Sequence, residues 1–225
     1  MSIIRLDRAQ VSSRQREGLW SVLLDDQTAI VVSSQGMASP ALAGTGTPRV
    51  NARGRFARHA TDIVPQTWRG WSSVATVARR DWGPTLRVVI DTADLEEGGL
   101  ADLRLWVALS SGSPAGFDSP SSLHLAGLRF RSDDGPATWK AVVSDGEESE
   151  TLDTSIAAEP AHDYELEVDL SDANAATFHV NGTFAGRLKV HLPGPAAGLG
   201  VHVLVENLTA AIRSFGIAQV QLLTR

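Results

Sequence analysis

The sequence predicts an all-β fold, a two-sheet antiparallel jelly-roll sandwich with a short N-terminal arm, and three observations carry that prediction. Apolar and polar residues alternate at period two in segment after segment, while the three-and-four spacing of an amphipathic helix is nearly absent. Clusters of Asp, Asn, Ser, Gly and Pro interrupt these runs at 132–136, 144–148, 171–174 and 191–198, the rhythm of short strands joined by turns. The 225 residues are 43% hydrophobic and include no cysteine, so the chain can bury one full core and must hold it by packing and pairing alone.

Residues 1–17 read as an arm and residues 18–225 as one domain. A hairpin is expected around "LWSVLLDDQTAIVVSS" (19–34) and a strand pair in "WSSVATVARRDWGPTLRVVID" (71–91). The intervening 35–65, rich in Gly, Pro, Ala and Arg, is either a long surface excursion or a set of irregular edge strands. One helical turn is allowed at "TADLEEGG" (92–99). The clearest strand is "ADLRLWVALSSG" (101–112), in which Leu103, Leu105, Val107 and Leu109 point one way and Asp102, Arg104, Trp106, Ala108 and Ser110 the other.

Runs of the same kind follow at 123–132, 137–144, 162–171, 176–190 and 198–207. A last one, "IRSFGIAQVQLL" (212–223), changes parity near Gly216 as a β-bulge would. In "TFHVNGTFAG" (177–186), Phe178 and Val180 face the core and Asn181-Gly182 supply the positive φ angles of a two-residue type I′ turn. "NGT" there and "NLT" at 207–209 match a glycan acceptor by spelling alone, because the arginines and aspartate of the first twenty residues break any apolar leader. The expectation is a soluble product made in the cytoplasm without a signal peptide, with no segment long enough to enter a membrane.

A net charge of −6 argues against nucleic acid as the main partner. The charge is unevenly divided: residues 1–90 hold twelve arginines and six acidic residues, residues 91–225 eight basic and twenty acidic ones. This division favours head-to-tail association of subunits, unless folding brings the halves together and cancels the field.

The block "YELEVDLSDANAATFHVNGTFAGRL…GLGVHVLVENLTAAIRSFGIAQVQLL" (164–223) resembles the C-terminal half of a concanavalin A-like lectin/glucanase jelly roll. The shared features are a Tyr-x-Leu-x-Val strand, an Asp/Asn turn, a Phe-x-Val-Asn-Gly hairpin and long closing strands. The preceding "WKAVVSDGEESETLDTSIAA" (139–158) is similar to segments of phage and prophage structural proteins with that fold. The resemblance implies a non-enzymatic structural or adhesive protein of a phage-like particle, a decoration, fibre or tail-associated component. Such a protein would be displayed on the virion, pack on neighbouring subunits as a homo-oligomer and touch surface glycans. The alternatives are a stand-alone carbohydrate-binding module and, last, a glycan hydrolase or lyase; such a fold specifies architecture better than activity.

Glycosidases of this superfamily carry Glu-x-Asp-x-x-Glu on one strand, and that pattern is absent. The nearest substitute is Glu165 and Glu167, which alternate outward with Asp169 in "ELEVD". Carboxyls two residues apart on a strand face lie about 7 Å apart, within the ~6.5–9.5 Å of an inverting pair, but a solvated polar face is the simpler reading. There is no Gly-x-Ser-x-Gly elbow, Walker loop or His-Glu-x-x-His helix, so neither a catalytic residue nor a cofactor is expected. His179 and His202 occupy outward positions and read as surface histidines. "SDDGP" and "SDAN" offer oxygens to calcium, yet turn-forming Asp and Asn account for them.

Ligand binding has better candidates. Trp106 and Arg104, with Arg129 on the same side of a neighbouring strand, could stack and hold a sugar ring; alternatively the 35–65 segment covers Trp106. Among the aromatics Trp68, Trp71 and Trp82, Trp71 reads as a core anchor and Trp68 as ligand-binding. The cluster Arg49, Arg53, Arg55 and Arg58 reads as a contact for an acidic partner subunit.

Overall fold

A computed structural model describes residues 18–23, 40–44, 57–61, 63–73, 76–92 and 100–224. The strands are β1 (Gly18–Leu23), β2 (Pro40–Gly44), β3 (Ala57–Ala60), β4 (Trp68–Ser73), β5 (Ala78–Arg79), β6 (Thr85–Asp91), β7 (Leu103–Ser110) and β8 (His124–Arg131). They continue as β9 (Thr138–Asp145), β10 (Ser149–Ala157), β11 (Asp163–Asp169), β12 (Ala176–Val180), β13 (Thr183–Leu188), β14 (Gly198–Asn207) and β15 (Ser214–Thr224). All pairings are antiparallel and form two sheets. A seven-stranded sheet runs β1-β15-β6-β11-β12-β13, with β3 also on β15; an eight-stranded sheet runs β10-β9-β8-β7-β14-β4-β2, with β5 on β14. This is a two-sheet antiparallel sandwich, as the alternation and turn spacing predicted, in the jelly-roll form that the resemblance of 164–223 implied.

The core lies between the sheets and takes one parity from every strand. Leu86, Val88, Ile90, Leu166, Val168, Phe178 and Val180 face Leu103, Leu105, Val107, Leu109, Leu128, Phe130 and Trp139. Each such side chain contributes roughly 1.5–3 kcal/mol on burial, which is what the chain relies on without disulfides. Trp71 is fully buried there, as a core anchor. Trp139 packs edge-on against Tyr164 with ring centroids 5.4 Å apart, and the Tyr164 hydroxyl accepts from the Glu159 amide at 2.7 Å.

Two local features follow directly from their residues. Asn181 (φ 50°) and Gly182 (φ 72°) form the expected turn between β12 and β13. Asn181 also accepts from the Glu165 amide through its side chain at 2.8 Å and donates its own amide to the Glu165 carbonyl, which ties the hairpin to β11. In β15, Phe215 and Ile217 face the core and then Val220 and Leu222 do, because a bulge between Ile217 and Gln219 shifts the register against β6.

Other expectations are corrected. β4 and β6 are not partners: β4 joins β14 and β2 in one sheet, and β6 joins β15 and β11 in the other. The first strand pairs with β15, near the other end of the chain, and the rest of the expected hairpin lies outside the described residues. Within 35–65, the edge-strand alternative holds for β2 and β3. β10 went unread although Leu152 and Ile156 pack on the core with buried Thr154 between them, because two apolar residues four apart in "SETLDTSIA" are too few to mark a period. The arm at 1–17 and the helical turn over 93–99 fall outside the described residues. Among the described residues, no helix is long and apolar enough to cross a membrane.

Candidate functional site

The outer face of the eight-stranded sheet can be written as rows of cross-strand neighbours. The first row is Trp68, Glu206, Arg104, Arg131 across β4, β14, β7 and β8. The second is Gly70, Leu204, Trp106, Arg129, Lys140, Asp153, reaching β10. The third is Ser72, His202, Ala108, Gly127, Val142. Charge gathers in the first two rows, and the third sets the buried Ser72–His202 pair beside small and apolar residues.

Most of this face is covered. The segment from Ser111 to Leu123, between β7 and β8, lies over it and is stitched down at successive points. The Gly116 amide donates to Glu206 at 3.0 Å, Trp106 Nε1 to the Phe117 carbonyl at 3.2 Å, Arg129 to the Asp118 carbonyl at 2.6 Å and Ser144 Oγ to the Ser121 carbonyl at 3.2 Å. Beneath it, Trp106, Ala108, Leu125, Val142 and Leu204 form a second apolar cluster. This sheet is therefore buried on both faces, which antiparallel sheets need not be.

The ions under the segment are paired. Arg104 Nη1 donates to Glu206 at 2.7 Å and its Nη2 lies 2.7 Å from Asp118. Arg129 pairs with Asp118 and Asp134, and Arg131 with Asp118 and Asp133. Burial pushes the Arg129 guanidinium down, opposed by Asp134 and Asp118, while the Arg131 hydrogen bond holds the Asp133 carboxyl below its usual range. Asp118 is the common partner of three arginines from two strands, so one carboxylate fixes the covering segment to the sheet.

Among the described residues the cover stops at the first-row end, where a cleft of about 540 Å³ opens. Its walls include Gln66, Trp68, Arg104, Asp118, Arg131, Asp133 and Glu206. Trp68 is half-buried and packs on the second apolar cluster, so part of its ring reaches the cleft. The volume suits one or two small rings, since ligand sites run to roughly 300–1,000 Å³. The lining is mainly polar, suited to a ligand rich in hydroxyls rather than to an apolar one.

Of the residues the sequence singled out, Trp68 and Arg104 line this cleft, whereas Arg129 is buried behind it. Trp106 does point outward, but it is 1% exposed; the 111–123 segment lies on it, so it cannot stack on a sugar where it stands. His202 is likewise buried rather than on the surface. Burial pushes its imidazole down to about 4, with one ring nitrogen serving the Ser110 carbonyl and Nδ1 3.0 Å from Ser72 Oγ. Arg49, Arg53 and Arg55 and the side chain of Arg58 lie outside the described residues; the Arg58 backbone sits opposite Gly216.

Glu165 and Glu167 sit on the outer face of the other sheet. Glu165 is exposed; Glu167 pairs with Arg87 and lies 3.2 Å from His179 Nδ1. In "SDDGP", Asp133 and Asp134 serve arginines, Asp133 also bonding its own backbone, and Asp172 of "SDAN" accepts from the Asn174 amide at 2.8 Å and pairs with Arg187. No group of three or more acidic or histidine side chains among the described residues is arranged to hold a metal ion. Asp118 and Glu206 were missed as site residues. The signal for Glu206 was its outward parity with His202 and Leu204 in β14; Asp118 lies in a loop with no period to read.

No protein-family model matches the chain, and no curated protein does. Solved structures do. The chain is similar to a protein of unknown function from Shewanella oneidensis MR-1, at 12% identity and TM-score 0.61 over 92% of this chain and 86% of that one. It is also similar to Bacillus licheniformis β-glucanase, at 12% identity and TM-score 0.57 over 92% of this chain and 98% of that one. A third is the potassium-bound carbohydrate recognition domain of Emp46p, at 12% identity and TM-score 0.53 over 81% and 87%. These neighbours carry the concanavalin A-like lectin/glucanase jelly roll, and the chain has that fold.

Proposed function

We propose that the chain is a carbohydrate-binding jelly roll and that a sugar occupies the cleft beside Trp68. The observation that carries the reading is the first row, a half-buried tryptophan set next to Glu206, Arg104 and Arg131 at the mouth of a polar cleft. An aromatic face beside fixed donors and acceptors is what a sugar ring needs, with C–H groups on one side and hydroxyls on its edge. The fold neighbours add support, since one is a carbohydrate recognition domain and another a β-glucanase.

Binding is favoured over cleavage. Glycoside hydrolysis needs a carboxyl free to protonate the leaving oxygen and a second one beside it; in the cleft Asp102, Asp118, Asp133 and Glu206 are each engaged by an arginine, and on the far sheet exposed Glu165 neighbours a Glu167 that Arg87 engages. On a panel of neutral oligosaccharides, Trp68→Ala is expected to weaken binding about tenfold or more, the scale of losing an aromatic anchor. Retained affinity in Trp68→Ala would remove this cleft from consideration.

The narrower reading, a component of a phage-like particle, is a separate proposal supported by the charge division along the chain and the resemblance of 139–158. It expects ordered homo-oligomers in light scattering and electron microscopy. A monodisperse monomer that co-purifies with no assembly would count against it.

A further inference from the structure

The cleft's charge is layered, and the layering bears on which sugars could enter. The guanidiniums lie deep: the side chains of Arg104 and Arg131 are 6% and 25% exposed, and Arg129 is buried behind them. The carboxylates of Asp118 and Asp133 lie outside them, 40% and 56% exposed. Asp102, on the same wall, is half-exposed and answered from behind by Arg213 at 3.1 Å. Among the described residues, the ionisable side chains lining the cleft are four carboxylates and two guanidiniums. An entering ligand therefore meets acceptors first, and the cations behind them are already neutralised at 2.7–2.8 Å.

From this layering, and resting on the carbohydrate reading above, we infer that the site is selective by charge. It takes neutral or amino sugars and rejects uronate-bearing and sulfated glycans. Carboxylates accept pairs of hydroxyl or ammonium hydrogens. An anionic group in the same place would lie beside exposed Asp118 and Asp133, and the two guanidiniums of the described lining, Arg104 and Arg131, are already paired, a like-charge arrangement that costs affinity. Asp133 is the residue to change, because it belongs to a surface turn and its ion pair is with Arg131. Its removal frees the Nε and Nη2 side of that guanidinium, with Asp118 remaining on Nη1, without entering the core.

The test is retention on gels or arrays carrying matched polymers: neutral β-glucan and mannan, chitosan oligomers, polygalacturonate and a sulfated galactan, at low salt. The native chain is expected to be retained by a neutral or amino polymer and to pass through both anionic ones. Asp133→Asn is expected to raise polygalacturonate retention about fivefold, the scale of one exposed charge pair, and added salt should erase the gain. Native retention by an anionic polymer as strong as by any neutral one would overturn the charge selectivity while leaving carbohydrate binding intact. So would an Asp133→Asn variant that gains nothing on polygalacturonate. Retention by no polymer at all would instead overturn the carbohydrate reading itself, and the selectivity with it.

Discussion

Glu206→Ala is expected to destabilise the chain by about 3–5 kcal/mol, the cost of breaking a buried ion pair by removing one partner. Glu206 is buried, and one of its oxygens accepts both from Arg104 at 2.7 Å and from the Gly116 amide at 3.0 Å. Its removal leaves the Arg104 guanidinium in a low-dielectric site with Asp118 as its remaining charge partner, and it strands a backbone donor of the covering segment. Replacing both ions, Arg104→Met with Glu206→Leu, should restore most of the loss, because a well-packed apolar pair carries no desolvation penalty. Urea denaturation of the single and double variants measures this. A single variant within about 1 kcal/mol of native would mean that the pair is solvated and works as an ordinary surface bridge.

Trp106→Ala is expected to cost a similar amount, about 3–5 kcal/mol, from lost burial and the cavity left between Leu204, Ala108 and Ala115. The indole also donates to the Phe117 carbonyl, so the variant should loosen the segment over the sheet. Limited proteolysis would report cleavage between Ser111 and Leu123 well before the rest of the sandwich is cut. If Trp106→Ala were as stable as native and as resistant to protease, the indole would not be holding the segment down. The contrast with Trp68 is then measurable: Trp106→Ala is expected to lower chiefly stability, and Trp68→Ala chiefly the proposed sugar affinity.

Much of this fold was legible because its strands alternate. Leu103, Leu105, Val107 and Leu109 faced the core as read, Asn181-Gly182 formed the turn, and the parity change in β15 marked a real bulge. β10 was invisible because its inward side carries only Leu152 and Ile156 around a buried threonine, and the partners of β4 and β6 were invisible because strand pairing over long separations leaves no local signal. The site was legible in part. The outward parity of Arg104 and Trp106 is correct, but parity tells which side a residue faces and not what lies on that side. A loop without periodicity, 111–123, crosses this face and turns an expected platform into a second core. Glu206 could have been matched to Arg104 had the β14–β7 register been known; Asp118 could not.

Sugar binding beside Trp68 is tested most directly by amide and indole chemical shifts, followed by NMR as a neutral oligosaccharide is added. The shifts are expected to concentrate at the Trp68 indole, Gln66, Gly116, Ser132, Asp133 and Thr209, with Glu165, His179 and Phe184 unmoved on the other sheet. Shifts concentrated instead around Glu165, Glu167 and His179, with the Trp68 indole unmoved, would contradict it.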